Sequence, residues 1–157
     1  MIKIGEKAFE FTLEDAEKNK VNLSDMKGKW VVLYFYPKDD TPGCTTEALQ
    51  FTEHIKDFRS LNSEVVGISA DSCDSHQKFM VKFDLGVRLL SDPEHKVLER
   101  YSAWGEKKMY GKVFMGIERS TVIIDPEGKI AFHWPKVKPD GHAKEVMAKL
   151  KELQSTR

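Results

Sequence analysis

The feature that most constrains the fold of this chain is one apolar run followed directly by a turn and a helix. The run extends from Trp30 to Tyr36 and holds only β-branched, aliphatic and aromatic side chains, as in a strand buried on both faces. Pro37 ends the strand, and from Pro42 apolar residues recur every three or four positions, as on one helix face. A strand buried on both faces needs other elements packed on both sides of its sheet, so the pattern indicates an α/β fold.

Shorter segments on either side predict the remaining elements. Alternation over 9–13 and a short apolar segment at 21–23 predict an N-terminal β-hairpin. The first helix is predicted over 42–61. The stretch 104–115 is interpreted as plain loop, with the alternative that its aromatic side chains line a pocket mouth. The other predicted elements are strands at 65–69, 89–90, 121–124 and 130–134 and helices near 76–83, 97–101 and 143–153.

The order of these elements is β-β, then β-α-β-α, then β-β-α. It predicts an α/β fold with a central mixed β-sheet flanked by helices and an N-terminal β-hairpin extension. The strand count is low for a full doubly wound sheet, whereas parallel strands followed by a hairpin and helix fit a thioredoxin-like fold. At 157 residues, the chain is expected to form a single domain over 1–157.

Charge and composition exclude several classes of function. The 25 lysines and arginines are balanced by 25 acidic residues, so the basic excess that holds nucleic acid or anionic lipid is missing. The apolar run at 30–36 is far shorter than the roughly 20 residues that cross a bilayer. We therefore expect no nucleic-acid and no membrane partner. The first residues carry no apolar signal segment, which predicts a cytoplasmic protein.

Cys44 is the residue with the clearest chemical potential, because it falls at a predicted helix start. Thr41 is a candidate N-cap and Pro42 suits the first helical position, which places Cys44 in the first turn. Free backbone N–H groups and the helix dipole there stabilise a thiolate, the nucleophilic form of cysteine. The alternative is a buried structural cysteine that happens to begin a helix.

The residues around Cys44 resemble a known family. Pro37, Thr41 and Cys44 have the spacing Pro-x-x-x-Thr-x-x-Cys, which matches the peroxiredoxin active-site signature at every fixed position. The wider run 34–45 resembles the bacterioferritin-comigratory-protein branch, also called peroxiredoxin Q. The resemblance continues through Ser91-Asp92-Pro93, Trp104-Gly105-Glu106-Lys107, 115–121 and 124–129, and so covers nearly the whole chain.

This resemblance implies roles for individual residues. The Cys44 thiolate attacks one peroxide oxygen and becomes a sulfenic acid, while the other oxygen leaves as alcohol or water. The implied supporting residues are Arg119 as a positive charge beside the sulfur, Thr41 as a hydroxyl that orients the peroxide, Pro37 as a shield against water, Gly43 as a backbone donor and Glu47 as the holder of Arg119. Without the resemblance, Arg119 and Glu47 would be interpreted as surface charges, and Thr41 as only a helix start.

The chain departs from the family pattern at the second cysteine, which in many members reduces the sulfenic acid. The two familiar positions hold Leu49 and Met80, so Cys73 is the remaining candidate for a resolving cysteine. Cys73 is expected at the same edge of the sheet as Cys44, but a disulfide would require the first turn at Cys44 to unwind. Three possibilities stay open: Cys73 resolves the sulfenic acid, an external thiol does so, or another arrangement operates with Cys73 purely structural.

The resemblance predicts a peroxidase that reduces hydrogen peroxide or organic hydroperoxides and is recycled by thioredoxin or a similar thiol donor. A peroxidase of this kind needs no metal and no organic cofactor, because the thiolate is the reductant. The branch suggests a monomer or weak dimer. The alternative is a peroxide sensor that uses the same cysteine without efficient turnover. A thioredoxin-type reductase is disfavoured because Cys44 lacks a Cys-x-x-Cys partner, and no motif supports a cysteine hydrolase or a zinc site.

Overall fold

The computed structural model of the chain describes residues 2–156, which contain nine strands and five helices. The strands are β1 (Thr12–Asp15), β2 (Lys20–Asn22), β3 (Trp30–Phe35), β4 (Ser63–Ser69), β5 (Arg88–Ser91), β6 (Trp104–Met109), β7 (Lys112–Ile117), β8 (Ser120–Ile124) and β9 (Ile130–Trp134). The helices are α1 (Pro42–Glu53), α2 (Ile55–Ser60), α3 (Cys73–Phe83), α4 (Lys96–Arg100) and α5 (His142–Ser155). No helix within the described residues is long and apolar enough to cross a membrane.

Seven of the strands form one sheet in the order β2-β1-β5-β4-β3-β8-β9. Strands β3, β4 and β5 run parallel, and every other neighbouring pair in this sheet is antiparallel. Strands β6 and β7 form a separate two-stranded ribbon. The arrangement confirms the predicted thioredoxin-like α/β fold, with its mixed sheet and its N-terminal β1–β2 hairpin.

Strand β3 lies in the interior of the sheet, between β4 and β8, and supplies side chains to both hydrophobic cores. All of its residues are buried, as the uninterrupted apolar run predicts. Val31 and Leu33 face the core that includes α4, whereas Val32 and Tyr34 face the core beneath α1, α3 and α5. Burying a side chain of this size contributes roughly 1.5–3 kcal/mol, so β3 anchors the loop that leads from it into α1.

Glycine is required at position 67 because the Tyr34 ring crosses β4 there. A Cβ atom on Gly67 would lie 2.6 Å from Tyr34 Cζ and 2.9 Å from a methyl group of Leu89. Both side chains are fully buried and cannot move aside without disturbing the core. The absence of a side chain at Gly67 leaves room for the Tyr34 ring, which stacks on Phe51 of α1.

The predicted helix over 42–61 is wrong in one respect, because the chain breaks at His54 into α1 and α2. The Thr52 hydroxyl donates to the Ala48 carbonyl, a bond that bends helices, and the His54 N–H bonds the Phe51 carbonyl three residues back. The apolar spacing from Phe51 to Ile55 continues across the break, so periodicity could not reveal it.

The interpretation of 104–115 as loop is also wrong, since this stretch forms most of the β6–β7 ribbon. Tyr110 and Gly111 both have positive φ angles, of 51° and 77°, as a two-residue hairpin turn requires. The ribbon was missed because its two strands are largely exposed and show no clear alternation. The first strand of the chain is shifted as well: it lies at Thr12–Asp15 and not at 9–13.

Candidate active site

Two connections of the chain meet at the carboxyl end of β3. Cys44 lies in the first turn of α1, after the loop that follows β3, and Arg119 lies in the short link between β7 and β8. Ser120 at the start of β8 pairs with Phe35 at the end of β3. This antiparallel pairing brings Arg119 beside Cys44, although 75 residues separate them in the sequence.

The Cys44 sulfur is enclosed and accepts a hydrogen bond from Arg119. Its side chain is only 1% exposed, and Arg119 Nη2 donates to Sγ over 3.3 Å. The first hydrogen bond of α1 runs from the Thr45 N–H to the Thr41 carbonyl at 2.9 Å. The N–H groups of Gly43 and Cys44 precede that bond and point out of the helix end. A cation and the N-terminus of α1 therefore both lie beside this cysteine.

A buried ion pair holds the Arg119 guanidinium in one orientation. Nη1 of Arg119 donates to Glu47 Oε1 over 2.7 Å, and the two side chains are 14% and 0% exposed. Burial lowers the pKa of Arg119, but the neighbouring charges of Glu47 and Cys44 outweigh burial and raise it above its usual range. Arg119 is thus a permanent cation, and two different nitrogens of its guanidinium contact Glu47 and Cys44. The interpretation of Arg119 and Glu47 as solvated surface charges does not describe this structure.

Gly43 allows the guanidinium to approach the helix end closely. A Cβ atom on Gly43 would lie 3.2 Å from Arg119 Nη2 and 3.3 Å from Pro139 Cγ. Pro139 belongs to the segment before α5, which is tied to α1 where the Gly141 N–H donates to Gln50 Oε1 over 2.8 Å. Sequence analysis did not single out Pro139, which carries no chemistry-bearing group that would have identified it.

Thr41 and Pro37 lie in the loop that leads into α1. Thr41 occupies the N-cap position and Pro42 the first helical position, as predicted. The Thr41 hydroxyl does not cap the helix but donates to the Lys38 carbonyl over 2.8 Å. Its oxygen therefore keeps lone pairs that can accept a hydrogen bond from a ligand. Pro37 is half-buried and directly follows Tyr36 at the end of the strand.

Cys73 lies at the same edge of the sheet, but its sulfur faces away from Cys44. Cys73 begins α3, and its Sγ lies 3.5 Å from Glu14 Oε2 on β1. Strands β5 and β4 separate β1 from β3. Burial and the Glu14 carboxylate raise the pKa of the Cys73 thiol. A cavity of about 970 Å³ is lined by Cys73, Glu14 and Pro93 and not by Cys44.

Tyr34 is a polar neighbour of the site that sequence analysis missed. Its hydroxyl and Glu47 Oε2 are both buried without a hydrogen-bond partner among the described residues. Burial, followed by the charges of Glu47 and Cys44, raises the pKa of Tyr34 well above its usual range. Tyr34 therefore stays a neutral phenol beneath α1. Nothing in the apolar run distinguishes it from the other aromatic residues there.

The burial of Glu47 leads to a prediction about stability and pH. Burial raises the pKa of Glu47 from 4.5 to about 7, although the charge and hydrogen bond of Arg119 act in the opposite direction. This pKa is higher in the folded state than in the unfolded state. The protonated carboxyl of Glu47 therefore contributes fully to the free energy of unfolding below pH 4.5, and this contribution is lost as the pH rises through about 7. We expect wild-type unfolding free energy to fall by about 3 kcal/mol relative to Glu47→Gln across this window.

Urea titrations of both proteins at several pH values measure this difference. Glu53→Gln is the matched control, since Glu53 lies on the same helix with an exposed side chain. Its unfolding free energy is expected to follow the wild type at every pH. Curves for wild type and Glu47→Gln that stay parallel from pH 4 to pH 8 would contradict the prediction.

Comparison with known proteins identifies the group to which the chain is similar. Residues 4–133 match the AhpC/TSA family. The peroxiredoxin Bcp of Bacillus subtilis is 47% identical over 152 residues, covering 97% of each chain. A putative peroxiredoxin Bcp of Coxiella burnetii is 48% identical over 149 residues, covering 95% of this chain and 99% of its own.

Solved structures show the same likeness. A peroxiredoxin Q mutant of Xylella fastidiosa has a TM-score of 0.92 at 38% identity, covering 97% of each chain. The bacterioferritin comigratory protein of Xanthomonas campestris, studied for alkyl peroxide reduction, has a TM-score of 0.89 at 38% identity, again over 97% of each chain.

The family match and these relatives show that this chain belongs to the AhpC/TSA family and is a peroxiredoxin. Its relatives place it more narrowly in the Bcp, or peroxiredoxin Q, branch. The resemblance seen in the sequence is thereby confirmed.

Proposed function

We propose that Cys44 is the peroxidatic residue and that it reduces hydrogen peroxide and organic hydroperoxides. The thiolate attacks one peroxide oxygen, an S–O bond forms and the O–O bond breaks, and the second oxygen takes a proton and leaves as water or alcohol. The observation that carries this proposal is the 3.3 Å contact between Arg119 Nη2 and the buried Cys44 sulfur. A cation at that distance stabilises the charge as it moves from sulfur to the leaving oxygen.

The surrounding residues support this step in separate ways. Glu47 fixes the guanidinium of Arg119, and Gly43 leaves room for it against the helix end. Thr41 supplies a hydroxyl oxygen that accepts a hydrogen bond from the peroxide, and half-buried Pro37 excludes water from the loop side. These groups orient the peroxide in line with the sulfur, which is the main requirement of a displacement at oxygen.

We further propose that an external thiol, from thioredoxin or a similar donor, returns Cys44 to its reduced form. Cys73 is poorly placed for this task, since its sulfur contacts Glu14 on β1. Strand β1 lies three strand spacings, roughly 14 Å, from β3. The Cys73 side chain would therefore have to leave Glu14, and the first turn of α1 would have to open, before a disulfide could form. Its raised pKa also lowers the fraction of attacking thiolate. The enzyme is proposed to act in the cytoplasm as a monomer or weak dimer.

Intact mass after one equivalent of hydrogen peroxide tests both parts of this proposal. We expect a gain of about 16 Da, the mass of one oxygen, in wild type and in Cys73→Ser, and none in Cys44→Ser. A loss of about 2 Da that disappears in either variant would assign Cys73 as the resolving cysteine. No change at Cys44 would overturn the peroxidase proposal. Sustained peroxide consumption with a thiol donor separates turnover from peroxide sensing.

A further inference from the structure

A buried polar cluster outside the peroxide site ties the loop before α1 to the first turn of α3. The cluster consists of Asp39 in the loop and the side chains that contact it. We call it the loop–α3 latch; its members are Tyr36, Asp39, Asp71, Ser75 and His76. The reaction proposed for Cys44 uses none of these groups, although Asp39 lies only five positions before the cysteine.

Asp39 is the centre of the latch and is bonded through both its side chain and its backbone. Its carboxylate accepts the Tyr36 hydroxyl over 2.5 Å and the Ser75 hydroxyl over 2.8 Å. Nδ1 of His76 lies 2.7 Å from the same carboxylate, and the Asp39 N–H donates to Asp71 Oδ2 over 2.8 Å. The Asp39 and His76 side chains are 3% and 0% exposed. Solvent therefore cannot replace these bonds while the loop stays in place.

The hydrogen bonds of His76 fix the orientation of its ring in the latch. Nε2 of His76 lies 2.9 Å from the Leu90 carbonyl, which can only accept, so this nitrogen carries a hydrogen. Nδ1 lies 2.7 Å from the Asp39 carboxylate, so both ring nitrogens have a buried polar partner. Removing either partner leaves the other buried without a hydrogen bond, which costs free energy. The latch therefore holds the loop in one position.

The two halves of the catalytic cycle place opposite demands on this loop. Reaction with peroxide needs the closed arrangement, in which Cys44 is 1% exposed and contacts Arg119. Reduction of the sulfenic acid needs an external thiolate to reach the sulfur: an S–S bond forms, the S–O bond breaks, and hydroxide leaves and is protonated to water. A sulfur this deeply enclosed cannot meet a thiol of another molecule until the first turn of α1 opens.

We propose that the loop–α3 latch is a positioning device that sets the balance between the closed and the open form of the Cys44 loop. It holds residues 37–40 on α3, so that α1 begins at a fixed point and opening is rare. This inference rests on the proposed function and adds the residues that control access to the oxidised sulfur. A second contact on the same loop, between Asp40 and Lys82 at 2.8 Å, is exposed and contributes little.

The latch predicts an unequal effect on the two half-reactions. When the open form is a small minority, weakening the latch multiplies its population while hardly changing that of the closed form. Loss of one buried hydrogen bond to a charged group corresponds to about a tenfold change in such a ratio. We therefore expect the thiol step of His76→Gln and Asp39→Asn to become about ten times faster, and their peroxide step to slow by less than about twofold.

The test uses Cys73→Ser as the parent protein, so that Cys44 is the only thiol. The peroxide step is measured by mixing reduced protein with limiting hydrogen peroxide. The thiol step is measured by the absorbance lost when 5-thio-2-nitrobenzoate forms a mixed disulfide with the sulfenic acid. The double variant Asp39→Asn/His76→Gln should match the single variants, because both remove one interaction. Ser75→Ala removes only one donor, so it should raise the ratio of the thiol-step rate to the peroxide-step rate by about threefold. This variant keeps the test usable if the others fail to fold.

Two control variants separate positioning from general loss of stability. Ser63→Ala removes a buried hydroxyl that donates to the Phe58 carbonyl at the start of β4, the end of the strand remote from Cys44. It should lower stability without changing the ratio of the two rates. Lys82→Ala should change neither rate. If both half-reactions of the latch variants slow in parallel, or their ratio stays at the parent value, the latch proposal is wrong. If the parent itself does not react with peroxide, the proposed function fails instead.

Discussion

Replacing Cys44 with serine is expected to abolish peroxide reduction, with a rate loss of roughly 10⁴-fold or more. A serine hydroxyl ionises far less readily than a thiol, so the cation at Arg119 has no thiolate to stabilise at neutral pH. Oxygen at this position also cannot take up the second oxygen as a sulfenic acid does. The measurement is hydrogen peroxide consumption with dithiothreitol as the thiol donor.

Cys73→Ser is the matched control, because it makes the same chemical change at the other cysteine of the chain. Under the proposed cycle it should retain peroxide consumption within about twofold of the wild type, as is usual for a substitution away from the reacting atoms. Equal losses in the two variants would mean that the cysteines act together. Normal turnover in Cys44→Ser would remove Cys44 from the reaction altogether.

Arg119→Met is expected to slow reaction of Cys44 with peroxide by about 10²–10³-fold, the usual effect of removing one preorganised charge donor. The substitution removes the 3.3 Å donor to sulfur and also leaves the Glu47 carboxyl buried without its partner. Breaking a buried ion pair from one side costs about 3–5 kcal/mol of stability. Stopped-flow rates and urea unfolding measure the two consequences separately.

Two further variants show whether the slower peroxide reaction and the lower stability of Arg119→Met come from the lost charge or from the lost geometry of the guanidinium. Arg119→Lys keeps the charge but lacks the planar group that reaches Glu47 and Cys44 at once, so an intermediate loss of about tenfold is expected. Arg119→Met/Glu47→Gln should recover stability without recovering rate, because no unpaired carboxyl remains. A double variant that regains the peroxide rate would show that the unpaired Glu47, and not the missing cation, causes the defect.

The position of Cys44 at a helix start was predictable because it follows from local rules. Pro42 and Thr41 mark a helix start, and Cys44 falls in the first turn where an anion is stabilised. Even here, only the position of Thr41 was predictable, since its hydroxyl bonds the Lys38 carbonyl and does not cap the helix. That choice depends on the path of the loop, which the sequence of the turn does not specify.

Features that depend on long-range contacts could not be predicted in the same way. His76 has the spacing of an apolar helix face, and only the fold shows that its ring lies against Asp39, 37 residues earlier. The break at His54 leaves the apolar period intact, so no pattern reports it. Cys73 was correctly placed at the edge of the sheet, but the direction of its sulfur depends on β1 lying next to β5.

The pairing of β3 with β8 has a consequence for the order in which the protein matures. Leu33 pairs with Val122, so this part of the sheet cannot form until most of the chain has left the ribosome. Strand β3 and α1 lie in the earlier part of the sequence and can be made before Arg119 exists. Until then Cys44 lacks the cation on which its proposed reaction depends. Completion of the sheet and assembly of the proposed peroxide site are therefore one event in folding.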